Sequence, residues 1–491
     1  MKNNEYETIM NLLSGTETTK ENSQQKVPDT PEEKAITLAD VADINELVDL
    51  HYTGKAVEFP PWVQQTEKGL KIVPQELAIH IIDSYNILSV KLGNSKGVTL
   101  YLYKDGRYVL WSESEAKAFI KSFLPRKIRK PIDWEYVYKE IITESSNAEE
   151  QDLNAEEDLI VFSNGVLRLS TGEMMEHSPV FLSTIQIPVN YNPNLSLSQA
   201  PTTLKYLNDV TGGNAEDMTT LLEVVGLVIS NVYGWRTKKL LIMKGRGNTG
   251  KSVFRELVTF IVGVENTFTI DMEQLHSQFG SAGIYKRRLV GSGDMKVARL
   301  PEMDKIKELT GGDMINIEAK YQNSFTTKFN GFLWFNCNQL PYISRGDKGE
   351  HVFDRFLIVS CDNVVPEEER DPLLLDKLKA ESEYLVCASI KALKNLMQRD
   401  YKFTESERTK KNREDYAMRN NSLALFLNDY CELGIGTTPT RIFKEKYIYW
   451  CRENGLTSEK PNSISKILAE KFGVEKYKSN TDCYRLTIKN F

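Results

Sequence analysis

At 491 residues, 41% of them apolar and 26% charged, the chain has room for roughly three or four domains and a core that needs no covalent staples. The net charge of −6 excludes a chain that is basic throughout, so any surface for nucleic acid has to be local. No apolar run of about 18 residues, no basic-then-apolar secretory N-terminus, and six scattered cysteines (337, 361, 387, 431, 451 and 483) without metal-ligand spacing predict a reduced, cytoplasmic protein with buried thiols and no membrane partner.

Residues 1–36 are rich in Asn, Glu, Thr, Ser, Gln and Lys and bury too little apolar area to offset their ordering entropy, so they are expected to form a disordered tail. An α+β region is expected over 37–150. In it Leu77-Ala78-Ile79 and Ile81-Ile82 suit a helix, and residues 99–103 and 107–111 flank Asp105-Gly106 as a β-hairpin. Amphipathic helices follow at 115–124 and 132–143. Between them four cations in Pro125–Pro131 suit either a solvated surface or a phosphate-backbone contact. The acidic run 144–157 suits a linker. Strands at 159–162 and 166–169, with turns at Ser163-Asn164-Gly165 and Ser170-Thr171-Gly172, form a small β unit within 151–205. Two helices are expected over 202–234, with a cap and turn at Thr211-Gly212-Gly213-Asn214.

The sharpest signal is Gly245-Arg246-Gly247-Asn248-Thr249-Gly250-Lys251-Ser252, which fits G-x-x-x-x-G-K-[ST] without a gap. An apolar strand, Leu240–Met243, precedes it, and 253–261 continue with helical spacing. Strand, glycine turn and helix N-terminus gather backbone N–H groups around a polyphosphate, with Gly245, Asn248, Thr249 and Gly250 in the cradle. Lys251 adds a charge for the β and γ phosphates, and the Ser252 hydroxyl is a ligand for Mg²⁺. ATP and Mg²⁺ are the expected cofactors.

Downstream, Leu289-Val290-Gly291 leads to Asp294, a strand-end acid placed to hold the metal's water shell. A helix over 304–310 closes on Gly311-Gly312, and a hairpin over 315–329 carries Lys320 and Lys328 beside aromatic residues, suited to a nucleic-acid backbone or to solvent. The buried strand 331–335 ends in Asn336-Cys337-Asn338, where a polar amide at the tip can orient an attacking water. Arg355 precedes another strand, where it can stabilise transition-state charge at a neighbouring subunit. Residues 371–400 continue as helix, and the charged run 401–420 is expected to join modules.

From 421 onward three helical patterns and a short hairpin describe a winged helix. Residues 436–491 hold 11 Lys and Arg against 6 Asp and Glu, the local basic excess that duplex binding requires. Lys466 and Lys471 with Ser463 on one helix, and Lys476, Lys478 and Arg485 on the wing, are candidate DNA contacts. A winged helix used for protein contacts remains the other reading.

Together GRGNTGKS (245–252), RRLVGSGDM (287–295), IKELTGGDMINIEAKY (306–321), FLWFNCNQLP (332–341) and VFDRFLIV (352–359) resemble, in order and spacing, the superfamily 3 helicases. The resemblance is to the helicase half of phage and plasmid primase-helicases and poxvirus-type helicase-primases, and within these to the replication initiator-helicases of staphylococcal pathogenicity islands. It implies an α/β AAA+ P-loop motor over 206–400, with an α+β N-terminal region and a C-terminal winged-helix domain within 401–491. It places Gly245, Gly250, Lys251 and Ser252 on the nucleotide loop, Asp294 on the Walker B acid, Asn338 on the sensor, Arg355 on the arginine finger and Lys320 in the DNA hairpin. It implies a homo-hexamer translocating 3′ to 5′ on DNA, with host replication proteins as further partners. Many relatives carry two adjacent acids at Walker B, whereas Gly293-Asp294-Met295 offers one, which leaves the catalytic base unassigned. Residues 1–150 lack a D-x-D strand, so no primase activity is expected. The rival expectations are a P-loop switch ATPase, such as a loader or transposition regulator, and an origin-binding protein with a vestigial motor.

Overall fold

The computed structural model describes residues 35–489 apart from 93–96, 296–298, 301–302, 318–324 and 344–348. Two units divide the chain between Leu153 and Asn154. The expected tail, 1–36, lies outside the described residues except for its last two, of which Ile36 pairs with Val57.

In the first unit the Asp43 side chain caps the helix Ile44–Tyr52, accepting from the amides of Asn45 and Glu46. A hairpin of β1 (Val63–Thr66) and β2 (Gly69–Ile72) leads to the helix Pro74–Ser84. Strands β3 (Ile87–Lys91), β4 (Val98–Lys104), β5 (Arg107–Leu110) and β6 (Ser146–Glu149) form one sheet in the order β5-β4-β3-β6. The turn between β4 and β5 needs left-handed backbone at Asp105 (φ 52°) and Gly106 (φ 87°), which is why the D-G pair marks it in sequence. The helices Glu113–Ser122 and Pro131–Glu144 supply Ile120, Val137 and Ile141 to a core shared with Leu77, Ile87 and Leu100. In the cationic loop between them Lys127 pairs with Asp49 at 2.6 Å and Arg129 donates to the carbonyl of Lys121.

The expected linker is partly sheet: β6 lies parallel to β3, Leu88 opposite Ser146. Its residues are polar because it is an edge strand with mostly exposed side chains, so it carries no apolar alternation to announce it.

The second unit begins with β7 (Leu159–Phe162), β8 (Gly165–Arg168) and β9 (Met174–Met175). Its Ile160, Phe162 and Leu167 share one core with the helices Pro201–Val210 and Ala215–Val228, so the small β unit is fused to those helices rather than standing apart from them. Next come β10 (Leu240–Lys244), the helix Lys251–Val262, β11 (Thr267–Thr269), the helix Gln278–Ile284, β12 (Leu289–Gly291) and β13 (Arg299–Leu300). The helix Asp304–Gly311 precedes β14 (Met314–Ile317), β15 (Phe325–Lys328), β16 (Phe332–Cys337), β17 (Tyr342–Ile343) and β18 (Phe356–Ser360). Five of these strands make a parallel sheet in the order β11-β12-β16-β10-β18. Its middle strands are apolar on both faces, as a sheet covered on both sides requires.

After the helices Leu374–Ala380 and Ser382–Gln398, the charged run expected to join modules is instead the helix Glu407–Asn420, laid along β18. Asn412 donates to the carbonyl of Ile358, and Tyr416 to that of Pro341. At its start Ser406, Arg408 and Thr409 all donate to the fully buried carboxylate of Asp217. Its buried face is Thr409, Tyr416 and Asn420, too polar to register as an amphipathic stripe.

The C-terminal part joins the helices Ser422–Tyr430, Thr440–Glu453 and Pro461–Phe472 to a sheet of β19 (Cys431–Pro439), β20 (Lys476–Lys478) and β21 (Asp482–Ile488), in the order β19-β21-β20. They enclose a separate core of Phe426, Phe443, Tyr447, Ile464, Leu468 and Tyr484. Strand β19 has no counterpart among the elements expected from sequence, because its register breaks between Leu433 and Thr438 and two glycines interrupt it. All six cysteines are buried and none forms a disulfide, and among the described residues no helix is long and apolar enough to cross a membrane.

Candidate functional site

The glycine loop leaves β10 at the carboxyl edge of the parallel sheet. Strands that come after β10 in the chain flank it on both sides, β16 on one and β18 on the other. Such a reversal of strand order opens a crevice outside the carboxyl ends, where open α/β sheets bind ligands. Gly245 still belongs to the sheet, its N–H donating to the carbonyl of Cys337 at 3.1 Å, and a Cβ there would lie 2.0 Å from the carbonyl oxygen of Cys361. Asn248 (φ 62°) and Gly250 (φ 88°) take left-handed backbone, and a Cβ on Gly250 would press on Val210 and Tyr206. The Tyr206 hydroxyl donates to the carbonyl of Gly250 at 2.7 Å, so the helix Pro201–Val210 props the loop from beneath. Asn248 is exposed, and its carbonyl accepts from the amide of Val365.

Lys251 opens the helix, largely buried, and its ammonium donates to the carbonyls of Gly245 and Arg246 at 2.7 Å each and to the Thr249 hydroxyl at 3.2 Å. Burial pulls its pKa below the usual lysine value, while the nearby thiols and Asp294 oppose that shift. Ser252 is exposed on the first turn. Asp294 is exposed three residues past β12, and Asn338 is exposed one residue past β16. Because β10, β12 and β16 run parallel, all of these side chains emerge along one edge.

Asn336, two residues before the expected Asn338, has a firmer place. Fully buried, it donates to the carbonyl of Lys251 at 2.9 Å and accepts from the Trp334 indole N–H at 2.8 Å. Its amide N–H reaches the carbonyl of Ser292, and its carbonyl takes the N–H of Met295. A lone amide inside an otherwise apolar strand was the signal for it. Tyr206 offered no such signal.

Arg355 lies at the opposite edge. Its carbonyl accepts from the amide of Leu240 at the start of β10, whereas the loop begins after β10 ends. Five strand residues separate the two edges, roughly 17 Å at the usual rise. The guanidinium donates to the Thr310 hydroxyl at 2.7 Å, and its Nε is buried without a hydrogen-bond partner. Burial lowers its pKa, against the pull of Asp313. Lys328 sits at the foot of the β14–β15 hairpin, opposite Met314, with its ammonium 5.2 Å from the Trp235 ring centroid. Lys320, expected in the hairpin that grips DNA, lies outside the described residues.

Among the C-terminal cations, Lys466 and Lys471 are exposed on the helix Pro461–Phe472, and Lys466 approaches Glu470 at 3.8 Å. On the hairpin Lys476 pairs with Asp482 at 2.5 Å, Lys478 is exposed, and the Arg485 guanidinium lies 5.8 Å from the Tyr477 ring centroid.

Known proteins share parts of this design. Residues 92–212 match a family described as D5 N terminal like, and residues 243–355 match a family of unknown function, DUF5906. The first covers the β7–β8 segment that precedes the glycine loop; the second runs from the end of β10 to Arg355. The A-form apo structure of the NrS-1 C-terminal region aligns over 86% of this chain and 100% of its own, with a TM-score of 0.51 at 14% identity. An apo structure of the same region, residues 305–718, aligns over 85% and 99%, with a TM-score of 0.46 at 14% identity. A JCV helicase with a bound small molecule aligns over 48% and 66%, with a TM-score of 0.27 at 13% identity. The first of these shows a shared fold. The chain is thus a mixed α/β protein built on a parallel sheet, with the fold of the NrS-1 C-terminal region. It also carries a D5-like segment upstream of its glycine loop.

Proposed function

We propose that the chain is an ATP-dependent DNA helicase, a replication initiator of a phage or other mobile element, built on an AAA+ motor. The observation that carries the reading is the loop 245–252, wrapped from β10 into a helix at the carboxyl edge of a parallel sheet, with Asp294 and Asn338 emerging along the same edge. On this reading the loop amides and Lys251 hold the triphosphate, and Asn338 orients the attacking water. The Ser252 hydroxyl and the Asp294 carboxylate are the oxygen donors that suit Mg²⁺ carried in on phosphates. That ion would neutralise charge on the β and γ phosphates.

Arg355 sits a sheet's length from its own loop, so as a finger it serves a second copy of the chain, which supports a ring with its sites between subunits. The six-fold ring and 3′-to-5′ movement rest on the sequence resemblance. Helices Ser422–Tyr430, Thr440–Glu453 and Pro461–Phe472 with the β20–β21 hairpin supply a basic winged-helix module for origin duplex.

The test is strand displacement on forked duplexes of both polarities with ATP and Mg²⁺, comparing wild type with Lys251→Ala. Unwinding that disappears in the variant supports the helicase. Hydrolysis without unwinding on either fork transfers the reading to a switch ATPase.

A further inference from the structure

Two arginines of the second unit are buried without a carboxylate partner among the described residues, and they sit at opposite ends of β12. Arg288, 4% exposed, donates to the carbonyls of Asn330, Val232 and Leu227 at 3.0, 2.9 and 3.2 Å. Leu227 lies in the last turn of the helix Ala215–Val228, and Val232 and Asn330 lie in the connections that lead to β10 and β16, so the guanidinium ties these segments to the start of β12. Arg255, 6% exposed, lies one turn past Lys251 on the same helix. It donates to the carbonyl of Trp334 at 2.7 Å and to that of Gly291 at 3.1 Å, with its guanidinium carbon 5.5 Å from the Trp334 ring centroid. Burial lowers both pKa values, to about 9 for Arg255 and about 10 for Arg288.

An uncompensated buried cation is costly, and an apolar side chain would fill the space without that penalty. What Arg255 holds gives it a purpose. Gly291 ends β12, three residues before Asp294. Trp334 lies two residues before Asn336 and four before Asn338. The backbones meet here so closely that a Cβ on Gly291 would lie 2.0 Å from the carbonyl oxygen of Trp334. Asn336 closes the circuit, donating to the carbonyl of Lys251 and accepting from the Trp334 indole. The start of the helix, the root of the Asp294 loop and the tip of β16 are therefore joined through buried groups.

We propose that Arg255 is a positioning residue for phosphoryl chemistry at this edge, fixing the Asp294 loop and the end of β16 relative to Lys251 and Ser252. The proposal rests on the ATPase reading above. Asp294 itself is solvent-exposed on a short loop beside Gly293. Charge-assisted bonds at the root of that loop are roughly twice as strong as neutral ones, and catalytic groups need placement to within about 0.5 Å. Lysine at 255 keeps the charge but reaches with a single point instead of a fork, so it cannot hold two carbonyls in the same way.

The experiment compares full-length wild type, Arg255→Lys, Arg288→Lys and Trp334→Phe. Their ATP hydrolysis is measured over a range of ATP and Mg²⁺ concentrations, beside thermal unfolding. Arg255→Lys is expected to lower kcat by roughly tenfold to a hundredfold, with KM for ATP within about threefold of wild type and a higher Mg²⁺ requirement. Arg288→Lys should lower Tm without that split. Trp334→Phe removes the indole bond to Asn336 and shrinks the ring that faces the Arg255 guanidinium, and should show the same split at a few-fold; it carries the test if Arg255→Lys does not fold. An unchanged kcat in folded Arg255→Lys, or kcat and KM drifting together with Tm as in Arg288→Lys, would show an ordinary structural arginine and overturn the proposal. A wild type that binds ATP but never hydrolyses it would remove the parent reading, and this one with it.

Discussion

Where β10, β12 and β16 end, the sheet presents Lys251, Ser252, Asp294 and Asn338, and the backbone turns through left-handed residues into a helix. Where β10 and β18 begin, it presents Arg355, tied to Thr310, and Lys328 over Trp235, with the β14–β15 hairpin rising beside them. On the proposed reading the first edge holds the phosphate site, and the other carries an arginine and a hairpin a strand's length away from it. Parallel strands impose this separation, since all their carboxyl ends lie on one side. On the proposed reading the halves of one reaction centre can meet only between two copies of the chain.

The largest expected effect tests that separation directly. Arg355→Ala should lower ATP turnover by roughly 10³-fold, the scale of an arginine finger. Mixing it with equally inactive Lys251→Ala should restore a measurable fraction, because some interfaces then pair an intact loop with an intact arginine. No recovery in a mixture shown to co-assemble would mean that the two edges never complete each other. At the carboxyl edge alone, Asp294→Asn should lower kcat by about 10²-fold while nucleotide affinity, followed by titration, stays within a few-fold. Equal loss of binding and turnover would make Asp294 a structural cap.

Between the edges lies the helix Glu407–Asn420, which approaches Asp354 through Arg413 at one end of β18 and Asp362 through Arg408 at the other. Asp217→Ala strands Arg408, Ser406 and Thr409 and should cost about 3–5 kcal/mol in urea unfolding of this unit. A loss under about 1 kcal/mol would mean that the helix is held chiefly by its other contacts, such as those of Asn412, Tyr416 and Asn420. The smallest effect belongs to the C-terminal module. Lys478→Ala should weaken duplex binding only a few-fold at every sequence and reduce the salt slope by about 0.9, whereas Lys476, already paired with Asp482, should change it less.

The carboxyl edge was largely legible in the sequence. Gly245 and Gly250 are demanded by close approach and by φ, and Lys251 opens the helix, so a pattern of residue types carries the geometry. The hairpin at Asp105-Gly106 and the helices over 113–122, 131–144, 201–210 and 215–228 announced themselves by turn chemistry and apolar spacing. Illegible elements share a physical cause, which is that polar residues do their structural work. Strand β6 is an exposed edge, β19 is broken by a bulge, and the helix Glu407–Asn420 is docked by a carboxylate, an amide and a phenol. Arg255 belongs with them. A single arginine in an apolar helix suggests a solvated face, and only the carbonyls facing it reveal that it points inward.

The burial of every cysteine has a practical consequence for watching this protein at work. Desolvation pushes the thiols of Cys337, Cys361 and Cys431 up to about 12, so their thiolate fraction near neutral pH is on the order of a thousandfold below that of an ordinary surface cysteine. With all six thiols buried, a maleimide dye should react only slowly with the folded chain. Ser479→Cys, in the exposed turn between β20 and β21, would take the dye selectively and report from the tip of the hairpin without any prior removal of native cysteines.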